Sequence, residues 1–195
     1  FFKAHKDAFL PHFLHSGLPE PLLQMLTQEV KILKKVGMWV WTDMVDNCPA
    51  AAAQYAAQIV PPMLSCADMS LPADIRTAAA YGLGVCAAKL GPAAAPFGSQ
   101  IMSALLGLLR HPEARMEGNE DATDNVVSAL GKVCLHQSVE GAHAVLPEWL
   151  SHLPLKSDLE EAAQANEQLV ALHSNSPRTR LALSTVSCYA FCLAA

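Results

Sequence analysis

Strand signals are all but missing from this sequence. No Asn-Gly or Asp-Gly pair occurs in its 195 residues, and no segment sustains an alternation of β-branched and polar residues. Neither tight hairpins nor half-buried strands are therefore encoded. Charge is scarce as well: Asp, Glu, Lys and Arg make up 16% of the chain against 52% hydrophobic residues, a composition that excludes intrinsic disorder. What charge there is sums to −5, whereas a nucleic-acid partner would call for a basic face. Chemical signatures are absent too. There is no H-E-x-x-H or C-x-x-C for a metal, no G-x-S-x-G elbow, no P-loop and no kinase signature. A Cys–His nucleophile pair would meet only in the fold, and nothing recommends one pair over another. The chain reads as a non-enzyme without cofactor or metal.

What is present is helix. Apolar residues recur at helical spacing over Lys3–Leu14, Pro21–Leu26, Lys31–Asp46, Pro49–Ala67, Pro72–Leu90, Ala93–Arg110, Glu120–Gln137, Ala142–His152 and Ser157–His173. Gly91-Pro92 closes one of these. Ser157-Asp158-Leu159-Glu160 opens the last as a capping box, with Ser157 and Glu160 satisfying each other's orphan amides. Within Glu120–Gln137, Val127, Leu130 and Cys134 share one face; Asp121, Asn125, Ser128 and Lys132 form a polar stripe opposite, expected to face solvent. Helix pairs restart near Lys31, Pro72, Glu120 and Ser157, a period of about 40 residues that matches HEAT or armadillo arrays. The expected fold is all-α: an α-solenoid of HEAT-type antiparallel helix pairs, an armadillo-like superhelix in which neighbouring pairs stack into one core.

Of the six cysteines, Cys48, Cys66, Cys86 and Cys134 lie singly in apolar helical patterns, and Cys188 and Cys192 stand four apart near the end. A buried, reduced thiol behaves as a small hydrophobe. Without a secretory signal ahead of them, a reducing cytosolic or nuclear compartment is expected. Cys48 to Ala67 and Gly91 to Leu109 carry no charge over nearly the length of a membrane span. Prolines (Pro61, Pro62, Pro92, Pro96) and glutamines (Gln54, Gln58, Gln100) interrupt them, so both read as helices buried in protein and no membrane insertion is expected.

The stretch GLGVCA, Gly82 to Ala87, fits the G-x-G-x-x-[GA] pattern of a dinucleotide loop. That chemistry requires a preceding strand, a turn at the glycines and a carboxylate about 20 residues on. The preceding IRTAAAY is a helix former, and the region near Leu105 to Gly107 has no carboxylate. The remaining purpose for Gly82 and Gly84 is a close approach of another helix, since each costs its own helix about 1 kcal/mol against alanine.

Three stretches carry a resemblance. Asp74–Gly91 reads DIRTAAAYGLGVCAAKLG, Glu120–Lys132 reads EDATDNVVSALGK, and Val145–Glu161 reads VLPEWLSHLPLKSDLEE with its Leu-Pro-Leu turn. In content, order and spacing they resemble the importin-beta (karyopherin-beta) family, on the branch typified by importin-5 and importin-4. The likeness covers roughly residues 1 to 175. It implies consecutive HEAT repeats from the C-terminal part of a nuclear import receptor: about four over 1–175, partial at the start, since the chain opens at Phe1 in mid-pattern. From residue 176 the tail SPRTRLALSTVSCYAFCLAA departs from the family's pattern and is expected to be poorly ordered.

The implied partners are cargo proteins with basic signals, with Ran-GTP and nucleoporins engaged through the full-length parent, and the implied location is cytoplasm, nucleus and nuclear pore. A generic HEAT scaffold of another assembly is the alternative. In such arrays the second helix of each pair lines the concave surface, which implicates Pro49–Ala67, Ala93–Arg110 and Ala142–His152. There Glu148 beside Trp149 suits a Lys or Arg side chain by charge and cation–π contact, unless Trp149 packs between helices and Glu148 is merely exposed. Gln100 and Ser103 suit the backbone of an extended peptide. The acidic loop of Glu113, Glu117, Glu120 and Asp121 either attracts basic cargo or is a solvated linker.

Overall fold

The structure, a computed structural model, describes residues 2–5, 8 and 10–175; the tail at 176–195, with Cys188 and Cys192, lies outside them. Among the described residues there are helices and no strand. They are α1 (Phe2–His5), α2 (Leu10–His15), α3 (Pro19–Thr27), α4 (Lys31–Asn47), α5 (Pro49–Ala52), α6 (Ala56–Cys66), α7 (Ala73–Lys89), α8 (Gly98–Leu109), α9 (Glu120–His136), α10 (Ala142–Ser151) and α11 (Leu159–Asn175).

Three expected stretches differ in the structure. Within Lys3–Leu14 the described residues include α1 and α2, and a 3-10 turn at Ala53–Tyr55 divides α5 from α6. The third stretch begins with 3-10 turns at Gly91–Ala93 and Ala95–Phe97, each with a proline in its first positions, where a fixed φ and a missing N–H are tolerated. Gly91–Leu109 has the length and hydropathy of a membrane span by composition. Those turns leave α8 only 12 residues, about 18 Å against the roughly 30 Å of a bilayer core, and α8 packs along α9.

The architecture is an α-solenoid of HEAT-type helix pairs in two layers. Helices α4, α7, α9 and α11 run side by side; α3, α6, α8 and α10 lie against them in the second layer. Between the layers sits one continuous core, with Trp41, Met44, Ile59, Met63, Leu83, Ile101, Leu105 and Trp149 wholly buried. Cys66, Cys86 and Cys134 are free thiols. Burial pushes Cys86 up to about 12 and Cys134 up to about 11, so both stay protonated and act as apolar packing groups.

Among the described residues the most extensive helix–helix contact is between α7 and α9. A methyl group added at Gly84 would stand 2.9 Å from both Cα and Cβ of Ala129, inside the backbone envelope of α9. One at Gly82 would meet Thr42 Oγ1 at 2.8 Å and Met63 Sδ at 2.9 Å, on α4 and α6. GLGVCA is therefore helix throughout, with its glycines facing two different neighbours. The obstruction at Gly84 is backbone and cannot yield, whereas at Gly82 it is side-chain atoms only, the flexible Met63 thioether and Thr42 Oγ1. Gly107 on α8 has nothing within 4 Å.

Three alanine variants should thus separate in urea unfolding. Gly84→Ala should lose about 1–2 kcal/mol, overpacking outweighing the gain in helix propensity. Gly82→Ala should fall within about 0.5 kcal/mol of the parent, and Gly107→Ala should gain about 1 kcal/mol. Equal effects at 82 and 84 would show that α7 and α9 are not held at this distance.

Candidate functional site

The loops that enter α7, α9 and α11 are joined by a belt of polar bonds. Arg76, on the first turn of α7 and 5% exposed, donates to the carbonyls of Met69 (3.1 Å) and Leu71 (2.8 Å) and to Asn119 Oδ1 before α9. Asn119 donates on to Glu113 O at 2.9 Å. One turn into α9, Asp124 is 0% exposed. Its Oδ2 accepts the backbone N–H groups of Lys156, Ser157 and Asp158 at 3.1, 2.8 and 3.1 Å, and its Oδ1 accepts from Arg115. Burial pushes the Asp124 carboxyl up, but Arg115 and the amides of Ser157 and Asp158 outweigh it and hold the acid below its ordinary value.

Two expectations are corrected at this belt. Of the stripe of Asp121, Asn125, Ser128 and Lys132, Asp121 is exposed as expected, but the other three do not face solvent: they are 3%, 0% and 8% exposed. Asn125 Nδ2 donates to Asp158 Oδ2 at 2.9 Å, Gln168 Nε2 donates to Ser128 Oγ at 3.2 Å, and Lys132 Nζ pairs with Glu161 at 3.1 Å. The stripe is polar because it meets the polar face of α11. The capping box is also shifted by one residue. Asp158, not Ser157, receives the amides of Glu160 and Glu161, both at 3.1 Å, while Ser157 Oγ donates to Asp121 Oδ1 at 2.6 Å.

The expected recognition pair at 148 and 149 is likewise occupied. Trp149 is 0% exposed and its indole N–H bonds Val127 O at 2.9 Å, so its ring belongs to the core and offers no face to a ligand. Glu148 takes a two-pronged bond from Arg110, Nε at 2.7 Å and Nη2 at 2.5 Å, and that bond holds its carboxyl below the ordinary range. Gln100 and Ser103 are both exposed and are brought together with Leu64 and Ser99 on an open groove of ≈ 470 Å³. Glu117 is exposed on its loop. Glu120 lines a cleft of ≈ 500 Å³ with Arg115, His152 and Lys156, and Asp121 is tied to Ser157.

A group that the sequence did not bring together gathers around Tyr81. Lys132 Nζ lies 5.4 Å from the centroid of the Tyr81 ring, and Lys89 Nζ on α7 lies 3.2 Å from Asp46 on α4. Burial pushes the half-buried Tyr81 phenol up, and the charges of Asp46, Glu161, Asp43 and Glu160 push it further. Nearby on α4, Trp39 is 52% exposed, with Lys35 Nζ 5.4 Å from its ring.

No family model matches the chain. Human Importin-4 is 31% identical over 174 residues, 88% of this chain and 15% of that protein. The chain belongs to the importin-beta family. Mouse Importin-4 is 29% identical over 171 residues, and Importin subunit beta-3 of Saccharomyces cerevisiae is 26% identical over 139, covering 87% and 69% of this chain. The chain therefore spans about 15% of the length of the importins it matches. A crystal structure of a Kap121p mutant shares the fold, with a TM-score of 0.73 over 85% of this chain and 16% of that one at 24% identity. Within this importin-beta segment Asp124 is the buried carboxylate of the belt.

Its linkage to pH follows from the direction of the shift. A carboxyl depressed in the folded state contributes stability that is complete above its unfolded pKa of about 3.9 and lost as pH falls toward the lower folded value. Asp124→Asn should cost about 3 kcal/mol at pH 7, since it leaves Arg115 and three amides without the charge. Urea unfolding between pH 7 and pH 3 should show this difference shrinking below about pH 4; a constant difference would place the effect in packing instead.

Proposed function

We propose that this chain is a protein-binding segment, from the C-terminal part, of a nuclear import receptor that carries cargo with basic signals through the nuclear pore under Ran-GTP control. It works by non-covalent recognition and flexing of the solenoid, is not an enzyme, and moves between cytoplasm and nucleus, engaging Ran-GTP and nucleoporins through the full-length parent. Residues 1–175 are read as about four HEAT repeats of that receptor. The observation that carries this reading is the 31% identity to Importin-4 across 88% of the chain. The two-layered solenoid supports it, because stacked helix pairs present long continuous surfaces to protein partners.

The test uses the full-length parent, fluorescently tagged, in permeabilised cells supplied with Ran and energy. It should accumulate in nuclei with a basic-signal cargo and release that cargo when Ran-GTP is added. A parent that neither binds Ran-GTP nor enters nuclei would leave the chain as a HEAT scaffold of some other assembly.

A further inference from the structure

Ser157 sits on the irregular segment between α10 and α11, exposed to solvent. It is the only serine, threonine or tyrosine in the sequence with three carboxylates among the next four residues, Asp158, Glu160 and Glu161. Thr42, the next richest, is followed by Asp43 and Asp46 but is 2% exposed. An accessible hydroxyl with acidic residues behind it complements a protein kinase whose substrate groove is basic. The same residue is part of the α9–α11 joint. Its Oγ donates to Asp121 Oδ1 at 2.6 Å, and its backbone N–H donates to Asp124 Oδ2 at 2.8 Å.

A phosphoryl group on that oxygen removes the donor and sets a charge of about −1.5 to −2 against Asp121. On its other side Ser157 lines the cleft of ≈ 500 Å³ together with Arg115, His152 and Lys156, where Glu120 is the one carboxylate. Lys156 is exposed and has no ion-pair partner among the described residues. Arg115 keeps 39% of its side chain in solvent while it bonds Asp124. We propose that Ser157 is a phosphorylation site for an acid-directed protein kinase, and that its phosphoryl group leaves Asp121 for Arg115 and Lys156 in the cleft. In the transfer the Oγ–phosphorus bond forms as the bond from the γ-phosphorus of ATP to its bridging oxygen breaks, ADP departs, and the hydroxyl proton passes to the catalytic carboxylate of the kinase. The move breaks the tie to Asp121 and draws Arg115 off Asp124, which frees the start of α11 from α9. None of this depends on the transport reading.

The test treats the full chain with ATP and a kinase of the casein kinase II type, and locates the phosphate by mass spectrometry. Ser157 should carry it, and Ser157→Ala should remove that signal. In the phosphorylated chain the amides of Lys156, Ser157 and Asp158 should exchange with deuterium about tenfold faster, since their shared acceptor is loosened, while those of α7 stay within about twofold. The phosphorus NMR signal should titrate below the value of about 6 usual for phosphoserine, because cations favour the dianion. Lys156→Gln should move that value back up. Phosphate found only on other residues, unchanged exchange at 156–158, acceleration shared by α7, or a phosphate that titrates at or above about 6 would each overturn the proposal. The last result would mean that the group remains beside Asp121.

Discussion

Between α7 and α9 there is no room for a methyl group at position 84, where one would sit 2.9 Å from the backbone of Ala129. That missing side chain lets two helices come within backbone contact, and much of the remaining geometry follows from it. It draws Lys132 close enough to lie over Tyr81, brings Asn119 within reach of Arg76, and places the loop of residues 113–119 beside the first turn of α7. Each interior glycine costs its helix about 1 kcal/mol, a local loss offset by the area that the closer contact removes from water. Gly82, two residues earlier, faces the other way and admits Thr42 and Met63. A single turn of α7 thus sets the spacing on both sides.

The joints of the array are unlike one another. The contacts of α7 with α4 and α9 centre on small and apolar residues such as Gly82, Gly84 and Ala129, with ion pairs such as Lys89–Asp46 at their ends. The joint of α9 with α11 is polar from end to end, running from Ser157 on Asp121 through Asp158 on Asn125 to Glu161 on Lys132 and Gln168 on Ser128. Buried polar groups require partners at fixed distance and angle, so this joint specifies the register of α11, whereas an apolar contact rewards burial in many arrangements.

The fold class was legible because helical periodicity and the absence of strand and hairpin signals point the same way, and GLGVCA could be refused as a nucleotide loop for want of a strand. What a face meets was not legible. Asp121, Asn125, Ser128 and Lys132 recur at helical spacing whether water or another polar helix lies opposite, and periodicity carries no information about the neighbour. Trp149 was one residue from an exposed-looking glutamate, yet a single step along a helix turns 100°, enough to pass from rim to core. The group around Tyr81 could not be read at all, because its carboxylates come from α4 and α11 and only the stacking of the layers assembles them.

The Asp124 clamp gives the array an uneven mechanical character. Three amides and a guanidinium converge on one buried carboxylate, and such bonds weaken steeply once their angle falls below about 120°. Under a bending load the apolar joints yield by gradual slippage, each small rotation exchanging one set of contacts for another. The clamp does not creep. It holds its length until it snaps, so this stretch of superhelix behaves as a compliant spring ending in a brittle latch.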